Sequence, residues 1–406
     1  MSEENTSKRR AFQVGLLSSG HFLVDFYLNI LISIVPLLAL EWKLSTSALG
    51  IMATTTSIVT SFLQPVFGHL ADKYRRSWML PVSVVWTAVG TCIIGFFPSF
   101  LMVIVLTVLG GLGGSFYHPI GSQYTTSIAK EKKGLSISAY SFGGNLGLAA
   151  APIVIVPLIE AYGLPSISVM IIPAIIFTIG IYRSGVSKVN PTANSVGHIE
   201  EAASDGDDGT KEPSAARGYR RIVLLNAVTG LRSWASTIIV VFVPTMFVLA
   251  GHTKMEGAKL LSGFFFAGVI GTVFFGYLAD RVPIKRILAG STTVAALAGI
   301  GFIFLHGWMA MVMLMIVSFI FNGTIPITVI MAQGIMPKNA GMASGFMMGF
   351  TFGLGSLGAL LTGVLGDYIG LKNAVATLVP IIILAAMLAW KLPDVKIKIR
   401  RLKENA

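Results

Sequence analysis

Apolar residues dominate the chain, and short clusters of charge interrupt them at intervals. Twelve apolar runs reach the roughly 20 residues that a helix needs to cross a bilayer. They cover 14–40, 46–70, 77–97, 99–128, 134–159, 165–185, 221–249, 257–279, 286–305, 308–335, 341–366 and 373–392. None alternates polar and apolar positions as a half-buried strand does. An open sheet would also leave its backbone unsatisfied in hydrocarbon, so helix is the predicted form throughout. Several runs exceed about 25 residues, which predicts tilt or ends that protrude past the lipid. The first run is too long for a cleavable leader and lacks small-residue cleavage logic.

The one long polar stretch, 186–220, carries Glu200, Glu201, Asp205, Asp207, Asp208 and Glu212 among Gly, Ser, Thr and Pro. It reads as a solvated linker. The expected organisation is therefore a six-helix bundle over 1–185, a cytoplasmic linker over 186–220, and a second six-helix bundle with a basic tail over 221–406. The halves repeat. Gly68-His69-Leu70-Ala71-Asp72-Lys73 near the second loop matches Gly276-Tyr277-Leu278-Ala279-Asp280-Arg281 near the eighth, at an offset of 208 that also joins Gly147 to Gly355 and Ala151 to Ala359. The fold class expected is an all-α membrane protein of twelve transmembrane helices in two pseudo-symmetric six-helix bundles. Such parallel repeats belong to transporters that rock about a central site.

Composition removes the competing classes. Charged residues are 12% of the chain, about half the soluble norm of roughly 25%, and the mean hydropathy is +0.78. A soluble globule with so little charge cannot cover its surface. Cys92 is the only cysteine, so a disulfide-stapled domain is excluded. The net charge of +12 would elsewhere suggest nucleic acid, but its placement argues otherwise. With the N-terminus in the cytoplasm, only Lys43, Lys254, Lys259 and Lys372 of the 30 Lys and Arg fall outside, and Arg232 lies within a span. That bias predicts a plasma (inner) membrane protein with both termini cytoplasmic, its basic loops against anionic lipid and no nucleic-acid partner.

The signature Gly68-x-Leu70-Ala71-Asp72-Lys73-x-x-Arg76, with its weaker copy at Gly276, resembles that of the major facilitator superfamily; Arg75 and Pro283 stand where that pattern has glycine. Ser19-Gly20-His21-Phe22-Leu23-Val24-Asp25, Phe116-Tyr117-His118-Pro119 and Gly143-Gly144-Asn145-Leu146-Gly147 with Pro152 are similar to the fosmidomycin-resistance branch of drug exporters. The resemblance implies proton-coupled antiport of a small polar or anionic compound by alternating access. An importer of a polar or anionic metabolite is the alternative, followed by a non-transporting receptor or a channel. The resemblance also implies that the corners built from Gly68, Asp72, Lys73, Arg76, Asp280 and Arg281 latch the outward-open state.

A charge in the bilayer costs about 2.5–3.5 kcal/mol on insertion scales, so each is a functional candidate. His21, Asp25 and Asn29 are spaced by four and share a helix face. Asp25 is expected to bind and release the coupling proton and His21 to tune it; the bland alternative is a hydrogen-bond cluster that only holds the helix in place. Arg232 is the repeat-mate of Val24, beside Asp25. Its guanidinium suits a phosphonate or carboxylate and is expected to hold an anionic substrate and to pair with Asp25 in at least one state. His118 before Pro119, Asn145 among glycines, Asn29 and Gln123 are the remaining substrate-binding candidates. Gly353-Leu354-Gly355-Ser356-Leu357-Gly358 fits a dinucleotide pattern but lies mid-membrane without a preceding strand, so it reads as helix packing. The six histidines and one cysteine show no metal-site spacing, and no catalytic or Walker motif appears. The expected partners are a small-molecule substrate, protons and lipid, with no metal, cofactor or enzymatic activity; a monomer suffices.

Overall fold

The computed structural model describes residues 3–55, 57, 63, 67, 77–129, 133–186, 189, 215–279, 281–336 and 340–393. Among these the chain is helical, with no strand. The elements are α1 (Glu3–Leu28), α2 (Ile30–Glu41), α3 (Met79–Cys92) running into a 3₁₀ turn (Ile93–Phe96), α4 (Phe100–Ala129) and α5 (Lys133–Tyr162). A 3₁₀ segment (Leu164–Met170) leads into α6 (Ile171–Ser184), followed by α7 (Ala215–Leu249), α8 (Lys254–Ala279) and α9 (Ile284–Phe304). Then come α10 (Trp308–Phe321), α11 (Ile325–Ile335), α12 (Ala340–Ile369), α13 (Leu371–Ala376) and α14 (Leu378–Ala389).

Eleven helical stretches among the described residues are long and apolar enough to span a membrane, and each falls on one of the twelve expected runs. The remaining run, 46–70, is helical over 46–55 and otherwise lies largely outside the described residues. Helix ends overrun the apolar runs. The helix of the first run starts at Glu3, because Lys8, Arg9 and Arg10 are good helix formers that continue the coil beyond the apolar segment.

The expected span 308–335 is interrupted where the backbone pattern changes. Between α10 and α11, Ile325 N–H bonds to the Asn322 carbonyl at 3.3 Å, one residue short of the α pattern. The Phe321 carbonyl, which an α-helix would have given to Ile325, is left for another donor.

The chain forms two compact units. The first comprises Met1–Thr210 with Val240–Phe266; the second, Lys211–Ile239 with Ala267–Ala406. Residues 240–266 join the first unit through packing such as that of Ala258, which is buried with Leu37 and Val156 in one apolar cluster.

Within the first unit, α1 and α5 lie in close parallel register. A Cβ at Gly143 or Gly147 would collide with the backbone carbonyls of Ser18 and Phe22, so the absent side chains permit this approach. Within the second unit, α12 meets α7 by the same device. Gly355 sits against Ser233 and Gly358 against the Trp234 ring, and Thr229 and Thr351 share a hydrogen bond of 2.9 Å. The dinucleotide-like run is thus part of a helix interface. Large apolar side chains such as Leu101, Val273 and Leu297 remain more than half exposed, as expected of a surface whose solvent is lipid.

Candidate functional site

The parallel register of α1 and α5 builds the first candidate site. His21, Asp25 and Asn29 face Tyr140, Gly144 and Leu148, each pair separated by the same 119 positions in sequence. His21 Nδ1 lies 2.8 Å from the Tyr140 carbonyl oxygen. A carbonyl only accepts, so Nδ1 carries the hydrogen. The two rings of His21 and Tyr140 stack with centroids 4.1 Å apart and planes at 16°, which holds the imidazole in this orientation. Asn29 Nδ2 donates to the Leu148 carbonyl at 2.8 Å; this candidate residue ties α1 to α5.

Asp25 occupies the space left by Gly144. Its Oδ2 lies 3.4 Å from His21 Nε2 and its Oδ1 lies 3.5 Å from His118 Nε2. His118 Nδ1 lies 3.2 Å from His21 Nε2. His118, expected beside the substrate, is therefore a neighbour of the carboxylate, because α4 packs on the same side of α1. The side chains of His21, Asp25 and His118 are 13, 15 and 23% exposed: withdrawn from bulk solvent, yet not sealed. The separation of the histidines in sequence gave no hint that their donor atoms and those of Asp25 lie within 4.8 Å of one another, close enough to share one small cation.

Hydrogen counting shows what one added proton would do there. With both rings neutral and Asp25 ionised, three contacts share a single inward hydrogen, that of His118, because His21 directs its own at Tyr140. One added proton on His21 Nε2 creates a donor toward both Asp25 Oδ2 and His118 Nδ1. His118 is then free to carry its hydrogen on Nε2 and donate it to Asp25 Oδ1. A single proton thus turns opposed lone pairs into a connected network.

Nearby hydroxyls are engaged elsewhere. Tyr117 donates to the Leu17 carbonyl at 2.8 Å, and Tyr140 Oη lies 3.4 Å from the His118 carbonyl. Tyr117 and Tyr140 are site residues that sequence reasoning missed. Tyr117 stood beside His118 in a noted motif, but nothing in the sequence marked the Tyr140 carbonyl.

The second candidate site lies in the second unit. Arg232 is 3% exposed. Its Nη2 donates to the Thr324 hydroxyl, to the Phe321 carbonyl at 3.2 Å and, more weakly, to the Ile320 carbonyl at 3.4 Å. The break between α10 and α11 explains the Phe321 contact, since that carbonyl lost its helical donor. The guanidinium carbon stands 4.9 Å from the Phe321 ring centroid. Nε and Nη1 have no hydrogen-bond partner, leaving three buried N–H groups of a cation unsatisfied. Thr324 and Phe321 went unnoticed in the sequence because the break that assembles them, at Asn322-Gly323-Thr324, falls inside a stretch that reads as one span by its length.

Gln123 is buried on α4 and Asn145 half-buried on α5. Of the expected latch, Gly68, Asp72, Lys73, Arg76 and Asp280 lie outside the described residues. Arg281 is exposed; its guanidinium carbon sits 3.6 Å from the Tyr277 ring centroid, and Nη1 donates to the Tyr277 carbonyl at 3.3 Å.

An all-helical chain of membrane-spanning length, with titratable and cationic groups held inside its helices, is a polytopic membrane protein of the transporter type. The Major Facilitator Superfamily profile matches residues 17–356 and 225–405, and the chain belongs to that family. It is 27% identical over 395 residues to the fosmidomycin resistance protein of Escherichia coli (strain K12), covering 96% of this chain and 95% of that one. It is 29% identical to the MFS-type transporter YfnC of Bacillus subtilis (strain 168), covering 92% and 91%. A solved structure of a bacterial homologue of the human lysosomal transporter Spinster, inward-facing and occupied, superposes with a TM-score of 0.78 at 13% identity, covering 94% and 96%. The family consists of membrane transporters, and the chain is a transporter and not an enzyme.

Proposed function

We propose that this chain is a proton-coupled antiporter that exports a small polar or anionic, drug-like compound across the plasma membrane by alternating access. The observation that carries the reading is the Asp25 carboxylate, held 3.4 and 3.5 Å from two imidazoles near the middle of the Asn5–Glu41 span. A carboxylate kept in an apolar span by groups that themselves exchange protons has a use that a static hydrogen-bond cluster does not need. Asp25 and His21 carry the coupling proton with His118 as third member. Arg232 receives the anionic group of the substrate, and Asn145 contacts the rest. The likeness to a fosmidomycin resistance protein makes a phosphonate the first compound to try.

In this reading the bundles of 1–185 and 221–406 open alternately, with both termini cytoplasmic and one chain sufficient. The corners of Gly68, Asp72, Lys73, Arg76, Asp280 and Arg281 hold the outward-open form. Asp72→Ala should shift spin-label distance distributions toward the inward-open form, and an unmoved distribution removes the latch.

The deciding experiment is flux in proteoliposomes. An imposed proton gradient should drive fosmidomycin uphill against the direction of proton flow. Co-directional movement would make the protein an importer by symport. Ohmic current without saturation would make it a channel, and no gradient-dependent flux of any small anion tested would end the proton reading.

A further inference from the structure

The basic end of the second unit holds a recess that the transport reading does not use. Arg220 and Arg221 near the start of α7, with Lys391 and Pro393 just beyond α14, line a cavity of about 560 Å³ that Leu224 completes. Among the described residues none of the five that line it is acidic, so three positive charges share one space. Like charges held together repel, and an anion offering several oxygens relieves that repulsion.

The position of the recess identifies which anion. It lies where two apolar stretches end, Gly218–Leu249 and Leu371–Ala389, which is the depth of lipid headgroups. Tyr219 and Trp390 flank it in sequence and are 53 and 57% exposed; aromatic rings of this amphipathic kind settle at headgroup level. Trp390 is fixed there by donating Nε1–H to the Thr293 hydroxyl at 3.2 Å. Val223, 58% exposed, and Leu224 add apolar surface beside the charges. A free phosphate would meet only the charges. A phospholipid meets the charges with its phosphate and the apolar surface with its acyl chains.

We propose that Arg220, Arg221 and Lys391 bind the headgroup phosphate of an anionic phospholipid. The inference is independent of the proton and substrate sites, so each can fail without the other.

Native mass spectrometry and thermal-shift measurements on the purified full-length protein test it. Phosphatidylglycerol should remain bound and raise the melting temperature, whereas phosphatidylcholine should do neither. Neutralising Arg220, Arg221 and Lys391 singly to Gln should weaken retention about fivefold each, and jointly abolish it. Arg286→Gln, a basic residue on α9 outside the recess, should bind as wild type. If the triple variant melts lower without lipid, the graded loss across the single variants decides. Equal retention of phosphatidylcholine, or undiminished phosphatidylglycerol binding by the variants, would overturn the proposal. So would inorganic phosphate reproducing the full thermal shift, which would make the recess a free-anion site.

Discussion

The Nδ1–H of His21 donates to the backbone carbonyl of Tyr140 at 2.8 Å, and this fixes which ring atom remains for proton exchange. Nε2 is the inward nitrogen, 3.4 Å from Asp25 and 3.2 Å from His118. His21→Asn places an amide donor near the Nδ1 position and removes Nε2. That variant should fold and bind substrate normally but release no protons on substrate addition, measured with a pH-sensitive dye in weakly buffered detergent solution. His21→Ala should lose the proton signal as well and be less stable by about 0.5–1.5 kcal/mol, the contribution of the lost hydrogen bond, since the Tyr140 carbonyl keeps its donor within α5. Proton release from His21→Asn at the wild-type level would take His21 out of the coupling.

Two glycines on one face of α5 should fail in different ways. A Cβ at Gly144 would fall 2.6–2.7 Å from ring atoms of His21 and also against Asp25. These are side-chain ends, which can move. Gly144→Ala should therefore fold but lose coupled flux by displacing the proton pair. A Cβ at Gly147 would meet the Phe22 carbonyl, which cannot move without shifting α1. Gly147→Ala should lower stability by about 1–3 kcal/mol through overpacking. Thermal melts and proteoliposome flux on both variants check the contrast; equal stability losses would deny that Gly144 faces only movable groups.

Arg232 presents three unsatisfied N–H groups from a buried cation. A charge-assisted hydrogen bond contributes about 1.5–3 kcal/mol, so Arg232→Ala should weaken an anionic substrate by roughly ten- to a hundredfold in Kd. Arg232→Lys keeps the charge but loses the planar fork and should fall between. A neutral analogue of the same substrate should bind all three proteins alike. Isothermal titration with a phosphonate and its neutral ester gives the comparison, and parallel losses for both ligands would show that Arg232 serves only the fold.

The sequence made some of this legible and hid the rest, for identifiable reasons. Span positions follow from hydropathy because lipid imposes the same demand on every helix. The shared face of His21, Asp25 and Asn29 follows from helical spacing, and all three do turn toward α5. Glycine-rich α5 was readable as a close-packing helix. The place of His118 was not, since contact between α1 and α4 depends on how helices pack and leaves no local mark. The interruption at 322–324 was only partly legible: Asn322, Gly323 and Thr324, with Pro326 after them, break the apolar run, but the hydrogen-bond shift at Ile325 is a property of backbone geometry.

The internal repeat makes Asp25 irreplaceable in this reading. At the offset of 208, His21 corresponds to Thr229 and Asp25 to Ser233. Both halves preserve the helix contact, since Gly147 faces Phe22 and Gly355 faces Ser233. Yet at those positions only the first half has groups that titrate, and Thr229 there bonds a second threonine, Thr351. The second half thus offers no reserve carboxylate at the matching place. Asp25→Asn keeps size and hydrogen-bonding capacity while removing the ionisable oxygen. It should reduce gradient-driven flux to the level of protein-free liposomes. Exchange of labelled for unlabelled substrate, which needs no net proton movement, should persist. Uphill transport surviving in Asp25→Asn would place the coupling group elsewhere, and loss of exchange together with flux would reveal a structural role.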